Sequence, residues 1–572
     1  MKRKEKSKET KENDRLKNGG ESIEVIRKMD LPHVWLWTML LAFVLTWMIF
    51  HFNNQRKKKS MLKLAEAATE EIREGVADII IVGAGVGGSA LAYALAKDGR
   101  RVHVIERDMR EPERIMGEVM QPGGRFMLSK LGLQDCLEGI DAQKLTGLAV
   151  YKDGKEGVLP FPVENNTFPY EPSARSFHNG RLVQRLRQRA SSLPNVHVEE
   201  GTVKSLIEEK GVIKGVIYKN TTACQETTAF APLTVVCDGC YSNLRRSLVD
   251  STEEVHTYMV GYITRNSQLY DPKSLHLILS RPMVCIMYQT SSDEVRCIAE
   301  IPADSVPSMA NGEMSTFLKE SMAPQIPIQL REIFIKGIND GASMKVVPTK
   351  SMSATLSEKK GVIVLGDAFN MRHPIIASGM MVVLSDVLIL RHLLKPLENL
   401  ANVTQVSQVI KNFNDIRKPM SATVNTLGDA FSQVLVASKD EAKEAMRQGC
   451  YDYLCSGGFR TSGLMALLGG MNPRPLSLVL HIFGITFTSI GHLLSPFPTP
   501  LRIWHSLRLF VSTMKMLGHH IKVEGARQML YPESTPMYHR RYMAATALQL
   551  NDDKSVLFIA AATSGRGNKI TL

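Results

Sequence analysis

The chain has 572 residues, 44% of them hydrophobic, and a formal net charge of +13, which is ample length to bury a substantial core in one large domain or two to three ordinary ones. Residues 1 to 63 hold fifteen Lys/Arg against seven Asp/Glu, so +8 of the charge sits at one end and no nucleic-acid partner is expected. Eight cysteines scattered from Cys136 to Cys455 are too sparse for a disulfide framework and read as reduced thiols.

In chain order, residues 1 to 33 are rich in Lys and Glu and poor in apolar side chains, which predicts a disordered charged tail. VWLWTMLLAFVLTWMIF, residues 34 to 50, carries no charge; extended to residue 52 it approaches the roughly 20 residues that cross a bilayer. Trp35, Trp37 and Trp47 lie near its ends, where indole suits the interface. A long polar stretch precedes it and HFNNQRKKK follows, unlike a signal peptide, so an uncleaved transmembrane anchor is expected. Arg56, Lys57, Lys58 and Lys59 favour a cytosolic C-terminal side over the opposing Arg15, Lys17, Arg27 and Lys28. Residues 53 to 76 read as a linker.

DIIIVGAGVGGSALAYALAKDGRRVHVIER, residues 78 to 107, opens the globular part. Gly83, Gly85 and Gly88 follow an apolar strand and open an alanine-rich helix, Val86 and Gly87 complete the turn, and a second strand ends in Glu106. The first glycine permits the tight turn, the second lets backbone approach a pyrophosphate, and the third lets helix and strand pack closely. The helix start offers free N–H groups and partial positive charge to phosphate, and Glu106 would take ribose hydroxyls. A glycine-rich turn without a ligand is the competing reading, which the acid-ended second strand disfavours.

Between residues 140 and 365 short β-like runs alternate with turns, as in VHVEEGTVKSLIEEKGVIKGVIYKN and LHLILSRPMVCIMYQT, predicting a mixed sheet inserted within the α/β domain. LTVVCDGCYSNLRR, residues 233 to 246, sets Asp238, Gly239, Ser242 and Arg245 in an arrangement similar to the DGxxSxxR of flavin monooxygenases. Cys237 and Cys240 in the same stretch offer a rival reading as a redox or zinc pair, but no second CxxC lies within reach. GVIVLGDAF, residues 361 to 369, is a strand ending in Gly366-Asp367, and an acid there can hold ribityl hydroxyls. The turn that follows starts a helix at Gly379-Met380, whose N–H groups can face the pyrimidine end of a flavin. Three motifs in this order make FAD the expected cofactor, with no metal. His373, before Pro374, reads as a loop cap rather than a base, and the Asn-x-Thr sequons at Asn165, Asn220 and Asn402 are attributed to chance.

After Gly379 the pattern is helical to about residue 450, so residues 77 to 450 are taken as one FAD-binding and substrate domain. Two apolar stretches, 475 to 494 and 501 to 517, are each interrupted by His or Arg and predict helices lying in a membrane face or packed in a core. They place a C-terminal membrane-associated region at residues 451 to 540, followed by a patternless tail at 541 to 572. The expected fold class is α/β: a Rossmann-like FAD-binding domain with an inserted mixed β-sheet substrate domain, an N-terminal transmembrane helix and C-terminal membrane-associated helices.

On these motifs the sequence resembles the squalene epoxidase family of flavoprotein monooxygenases, in its plant branch, over roughly residues 77 to 520. Residues 105 to 124, IERDMREPERIMGEVMQPGG, look like the family segment carrying the ribose-binding acid, Glu106, and a flavin-side glutamine, Gln121, with Arg107 and Arg114 as FAD contacts. SFHNGRLVQRLR supplies Arg181 and EGTV supplies Val203 on the same grounds. The resemblance implies oxygen transfer from reduced FAD and O2 to a terminal alkene of squalene, electrons from NADPH through NADPH-cytochrome P450 reductase, contact with membrane lipid, and an endoplasmic-reticulum location with the catalytic domain in the cytosol. Two departures fall near the flavin. Where the family has Leu-Thr-Gly-Gly-Gly-Met-Thr this chain has Ile375, Ile376, Ala377, Ser378, Gly379, Met380 and Met381, and Leu148 stands where the family commonly places a tyrosine that partners the glutamine. They keep two alternatives open, a paralogue oxidising another isoprenoid and a weakly active or non-catalytic membrane flavoprotein.

Overall fold

A computed structural model describes residues 39–53, 55, 77–163, 171–250, 252–341 and 344–526. The tails expected at 1–33 and 541–572, the first residues of the anchor, most of the linker and Asn165 lie outside them. Met39–Asn53 is a helix in a unit separate from the rest of the chain, and its apolar side chains are exposed, Phe43 by 73% and Trp47 by 58%.

The larger unit is organised by two seven-stranded sheets and one of three strands. In the first sheet the spatial order is Glu226–Phe230, Val212–Asn220, Val196–Glu209, Val102–Glu106, Ile79–Val82, Leu233–Val236 and Val362–Val364. The five strands from Val196–Glu209 onward are parallel, and the first two add to them antiparallel. Ile79, Ile80, Ile81 and Val82 are all buried, as expected of an unbroken apolar run at the centre of a parallel sheet covered on both faces. Here the structure departs from the sequence reading: the hairpin of residues 196 to 220 belongs to this nucleotide-type sheet and not to the inserted one, because Val196–Glu200 pairs in parallel with Val102–Glu106.

The inserted sheet runs Lys345–Ser351, Glu254–Arg265, Glu294–Pro302, Cys285–Gln289, Ser274–Ile278, Gly147–Lys152 and Lys155–Pro160. It is antiparallel except for the pair Ser274–Ile278 with Gly147–Lys152, so the expectation of a mixed sheet holds. Tyr262 on one of its faces packs with Leu318, Leu330 and Phe334 in a core of its own, where the Tyr262 hydroxyl donates to the Phe334 carbonyl at 3.0 Å.

Two helices that begin at the edge of the first sheet lie side by side. Near their starts a Cβ at Gly87 would sit 2.6 Å from a Val383 methyl, so Val86–Lys97 and Gly379–Leu394 approach closely there. At their far ends Arg391 grips Asp98 through two hydrogen bonds of 2.7 and 2.8 Å. The helices therefore run in the same direction, and both positive dipole ends face one place. Val403–Val434 braces the second helix through a fully buried Arg417–Asp386 pair at 2.9 and 2.8 Å.

Helices continue through Glu441–Cys455, Gly458–Leu468, Pro475–Leu494 and Pro500–Glu524, so the boundary expected at residue 450 falls inside a helix. Pro475–Leu494 is long and apolar enough to cross a membrane by length and composition. It buries Leu478, Ile482 and Ile485, and it exposes Leu476, Leu480 and Phe487. Its neighbour exposes Leu501, Ile503, Trp504, Leu507 and Val511.

Candidate active site

Four parallel strands end at one edge of the first sheet, and each hands over a residue marked by the sequence: Gly83 after Ile79–Val82, Glu106 closing Val102–Glu106, Asp238 after Leu233–Val236 and Asp367 after Val362–Val364. Open α/β sheets bind ligands at this edge.

The glycine turn is built by close approach. Gly83 has φ +98° and a Cβ there would lie 2.6 Å from the Cys237 carbonyl oxygen; a Cβ at Gly88 would lie 1.9 Å from the Gly83 carbonyl. Gly85 and Gly379 are the converse, since a Cβ on either meets nothing within 4 Å. The backbone at both helix starts is thus open to a ligand.

Glu106 does more than the sequence reading gave it. Its Oε2 accepts from the Ala84 N–H at 2.6 Å and its Oε1 from the Asp108 N–H at 3.2 Å, which fixes the glycine turn against the second strand. Roughly four lone-pair sites on a carboxylate leave capacity for a ribose hydroxyl. The arginine beside it is Arg187, buried, with Nε donating to the Ala84 carbonyl at 2.9 Å and Nη2 3.5 Å from Glu106. Arg181, the FAD contact that the family resemblance implies on the same helix, donates to the Ile140 carbonyl at 3.4 Å. Arg107 and Arg114 are exposed at the same rim. Val203 is half-buried in its strand, opposite Tyr218.

Arg245 ties the second and third motifs together. It is buried, donates to the carbonyls of Asp367 and Cys240, each at 3.4 Å, and pairs with Glu253. Burial pushes the Asp238 carboxyl above its usual range, against the pull of the Ser242 hydroxyl, Arg245 and Arg107. Asp238 Oδ1 has no hydrogen-bond partner. Burial likewise raises the Cys237 and Cys240 thiols, the opposite of what a redox or zinc pair needs.

The turn after Asp367 is held by its own polar side chains. Asn370 Nδ2 donates to the Met352 carbonyl at 3.0 Å, Arg372 donates to Asn370 and to Asn425 at 2.8 and 2.9 Å, and His373 Nδ1 accepts from the Ile375 N–H at 3.4 Å. His373 is the cap the sequence indicated, and its Nε2 also meets buried Glu300 at 2.9 Å. Ala377 then takes a left-handed conformation, φ 48° and ψ 42°, and Ser378 precedes the helix with φ −100°. Gln121, buried at the cap of Pro122–Leu131, donates from Nε2 to the Ile376 carbonyl at 2.9 Å. Its Oε1 has no partner, and neither has Ser378 Oγ. Leu148 is half-buried in Gly147–Lys152, with Leu275 and Leu159 as cross-strand neighbours, and brings no donor.

A contact that sequence reasoning missed brings a third helix end here. The Gly123 N–H donates to the Gly469 carbonyl at 2.8 Å, and a Cβ at Gly123 would lie 2.8 Å from Met381 Sδ, so the 469–470 turn, the Gln121 helix and the Met380 helix meet. Among the described residues the open glycine cradles, the orphaned Asp238 oxygen and two converging helix starts fit a dinucleotide with a flavin at one end.

A family model described as squalene epoxidase matches residues 230–504, and one described as NAD(P)-binding Rossmann-like domain matches residues 81–110. Squalene epoxidase 5 of Arabidopsis thaliana is 71% identical over 520 residues, covering 91% of this chain and 100% of its own. Squalene monooxygenase 1,1 of Brassica napus is 69% identical over 522 residues, with the same two coverages of 91% and 100%. Among solved structures, the flavin-dependent brominase Bmp2 overlays with a TM-score of 0.58 at 14% identity, covering 72% of this chain and 98% of its own. The p-nitrophenol 4-monooxygenase PnpA from Pseudomonas putida overlays with a TM-score of 0.57 at 16% identity, covering 70% and 98%. At such identities these overlays speak for the fold.

Proposed function

Because the chain belongs to the squalene epoxidase family, we propose that it epoxidises squalene to (S)-2,3-epoxysqualene with O2, as an FAD-dependent monooxygenase of sterol and triterpenoid biosynthesis. The observation that carries the reading is the meeting, at one sheet edge, of the glycine turn, Asp238 and Asp367, with Arg245 tying the last two motifs together through the Cys240 and Asp367 carbonyls.

In this reading the turn of Gly83, Gly85, Val86, Gly87 and Gly88 holds the pyrophosphate, Glu106 the ribose, the Val203 backbone the adenine, and Asp238 and Asp367 the ribityl side. Arg107 and Arg114 add positive charge at the rim beside Glu106, and Arg181 is the further FAD contact that the family resemblance implies. Bound and reduced, FAD supplies the oxygen-activating chemistry that no side chain here can provide. Gly379 and Met380 offer backbone N–H groups at the positive end of their helix, where negative charge on the pyrimidine would be stabilised. Gln121 positions the turn through the Ile376 carbonyl. Squalene has no polar handle, so an apolar pocket, to which Leu148 would contribute, orients it and excludes water. Electrons come from NADPH through NADPH-cytochrome P450 reductase. The exposed apolar side chains of Met39–Asn53, Pro475–Leu494 and Pro500–Glu524 meet membrane lipid at the endoplasmic reticulum, with the catalytic unit on the cytosolic side.

The purified protein should be yellow and form 2,3-epoxysqualene from squalene, O2, NADPH and the reductase; bound FAD with no epoxide overturns the proposal. A second reading, oxidation of a different isoprenoid, is favoured by the two polar atoms without partners at Gln121 and Ser378, which a substrate hydroxyl could meet. It predicts accumulation of a non-squalene oxidation product in lipid profiles of expressing cells.

A further inference from the structure

Away from the flavin edge, three potential metal ligands share one face of the first sheet. His103 and His197 are direct partners in the parallel pairing of Val102–Glu106 with Val196–Glu209, and Glu199 lies two residues beyond His197 on the same face. Their ring centroids are 5.0 Å apart, and Glu199 Oε2 lies 2.9 Å from His103 Nε2 and 3.8 Å from His197 Nε2. All three ligand atoms fall within 4.8 Å of one another. A zinc-type ion bound at about 2.0–2.2 Å to each nitrogen and oxygen holds tetrahedral ligands roughly 3.3 Å apart. Two of the three separations, 2.9 and 3.8 Å, bracket that value.

The surrounding groups act as supports for such ligands. The Tyr218 hydroxyl donates to Glu199 Oε2 at 2.8 Å and the Asn220 amide donates to Oε1, both from the next strand, so the carboxylate is aimed from two sides. Tyr218 can reach because residue 201 is glycine: a Cβ there would lie 2.8 Å from its ring. His103 is buried, whereas the His197 and Glu199 side chains are 28% and 20% exposed, which leaves room for water as a fourth ligand. Asn220, one of the three Asn-x-Thr positions, is thereby occupied in holding Glu199.

The geometry points to a divalent transition-metal site formed by His103, His197 and Glu199, taking an ion of the Zn2+ class and tying together the two strands that end in Glu106 and lead to Val203. Two imidazoles with one carboxylate and an open position suit Zn2+ or Co2+ better than the hard cations Mg2+ or Ca2+. A plain His103–Glu199 ion pair is the competing account, and it gives His197 no part in metal uptake.

The test uses the full-length, FAD-loaded chain in detergent micelles, stripped with a chelator and then titrated with Co2+ and Zn2+. One Co2+ per chain is expected, with visible absorbance of a four- or five-coordinate site, displaced by Zn2+. His197→Ala should abolish it while FAD content stays unchanged. Tyr218→Phe keeps every ligand and removes one support, so it should weaken Co2+ binding roughly 10–100-fold. His256→Ala, at an exposed histidine elsewhere, should leave binding unchanged. Absence of stoichiometric uptake by the unmodified chain overturns the site, as does uptake that survives both His197→Ala and Tyr218→Phe undiminished.

Discussion

Replacing Ala377 by glycine should stabilise the protein, although the position lies in a turn held by several hydrogen bonds. Ala377 has φ 48° and ψ 42°, a left-handed conformation that brings an L side chain's Cβ against the following carbonyl. That conformation costs roughly 1–2 kcal/mol for a residue with a Cβ. Glycine relieves it but enlarges the freedom of the unfolded chain by about 0.4–1 kcal/mol, which leaves a net gain of about 0.5–1 kcal/mol. The strain is tolerated because the turn is fixed from outside by Gln121 on the Ile376 carbonyl and from within by His373 on the Ile375 N–H and the Ala377 N–H donating to the Pro374 carbonyl at 2.8 Å. The assay is urea unfolding of the FAD-loaded protein, followed by tryptophan and flavin fluorescence, for Ala377→Gly, the unmodified chain and Ala377→Val. The expected order of stability is Gly above Ala above Val, the valine being worst because a β-branched residue fits the left-handed region least. A glycine variant less stable than the unmodified chain, or a valine variant equal to it, would refute the strain argument.

Gly83→Ala should yield protein without bound FAD, because the new Cβ would lie 2.6 Å from the Cys237 carbonyl at a backbone with φ +98°; flavin extraction reads the result, and a fully yellow variant contradicts it. Gln121→Leu leaves the Ile376 carbonyl without its donor and should cost about 1–3 kcal/mol, read as a lowered urea midpoint at unchanged m. Asp429 is raised to about 6 from 3.8, chiefly by burial, with Glu524 adding to the shift and His373 opposing it. A carboxyl raised on folding contributes stability below its unfolded value that is lost as pH rises through the folded one. Asp429→Asn should therefore match the unmodified chain near pH 4 and exceed it in stability above about pH 6. Its side chain is 34% exposed, so solvent screening keeps the gain well below that of a fully buried group.

The parts of this structure that were legible in the sequence are those set by local chemistry. A glycine turn between an apolar strand and a helix announces itself in a few residues, and so do the Asp238 and Asp367 strand ends, because each needs a particular residue at a particular backbone position. The strands of residues 196 to 220 were visible as strands but not as members of the first sheet, since alternation is the same whichever neighbour a strand pairs with. Arg187 was not singled out because several arginines lie on its helix, Asn179–Ser191, and only the packing of that helix decides which side chain reaches Glu106. The meeting of Gly123 with Gly469 had no signal at all, the two being far apart in the chain. At Ala377 the sequence indicated a shortage of glycine, and the structure locates the shortage at one backbone conformation.

On the proposed function, this site carries out squalene epoxidation with Ala377, Ser378 and Leu148 as they stand. The most direct measurement is growth without added sterol of a cell that lacks its own squalene epoxidase and expresses this chain, beside one expressing Asp367→Ala. Growth with the unmodified chain and none with the variant is the predicted result. Failure to grow with an abundant, membrane-bound and FAD-loaded unmodified chain would contradict it.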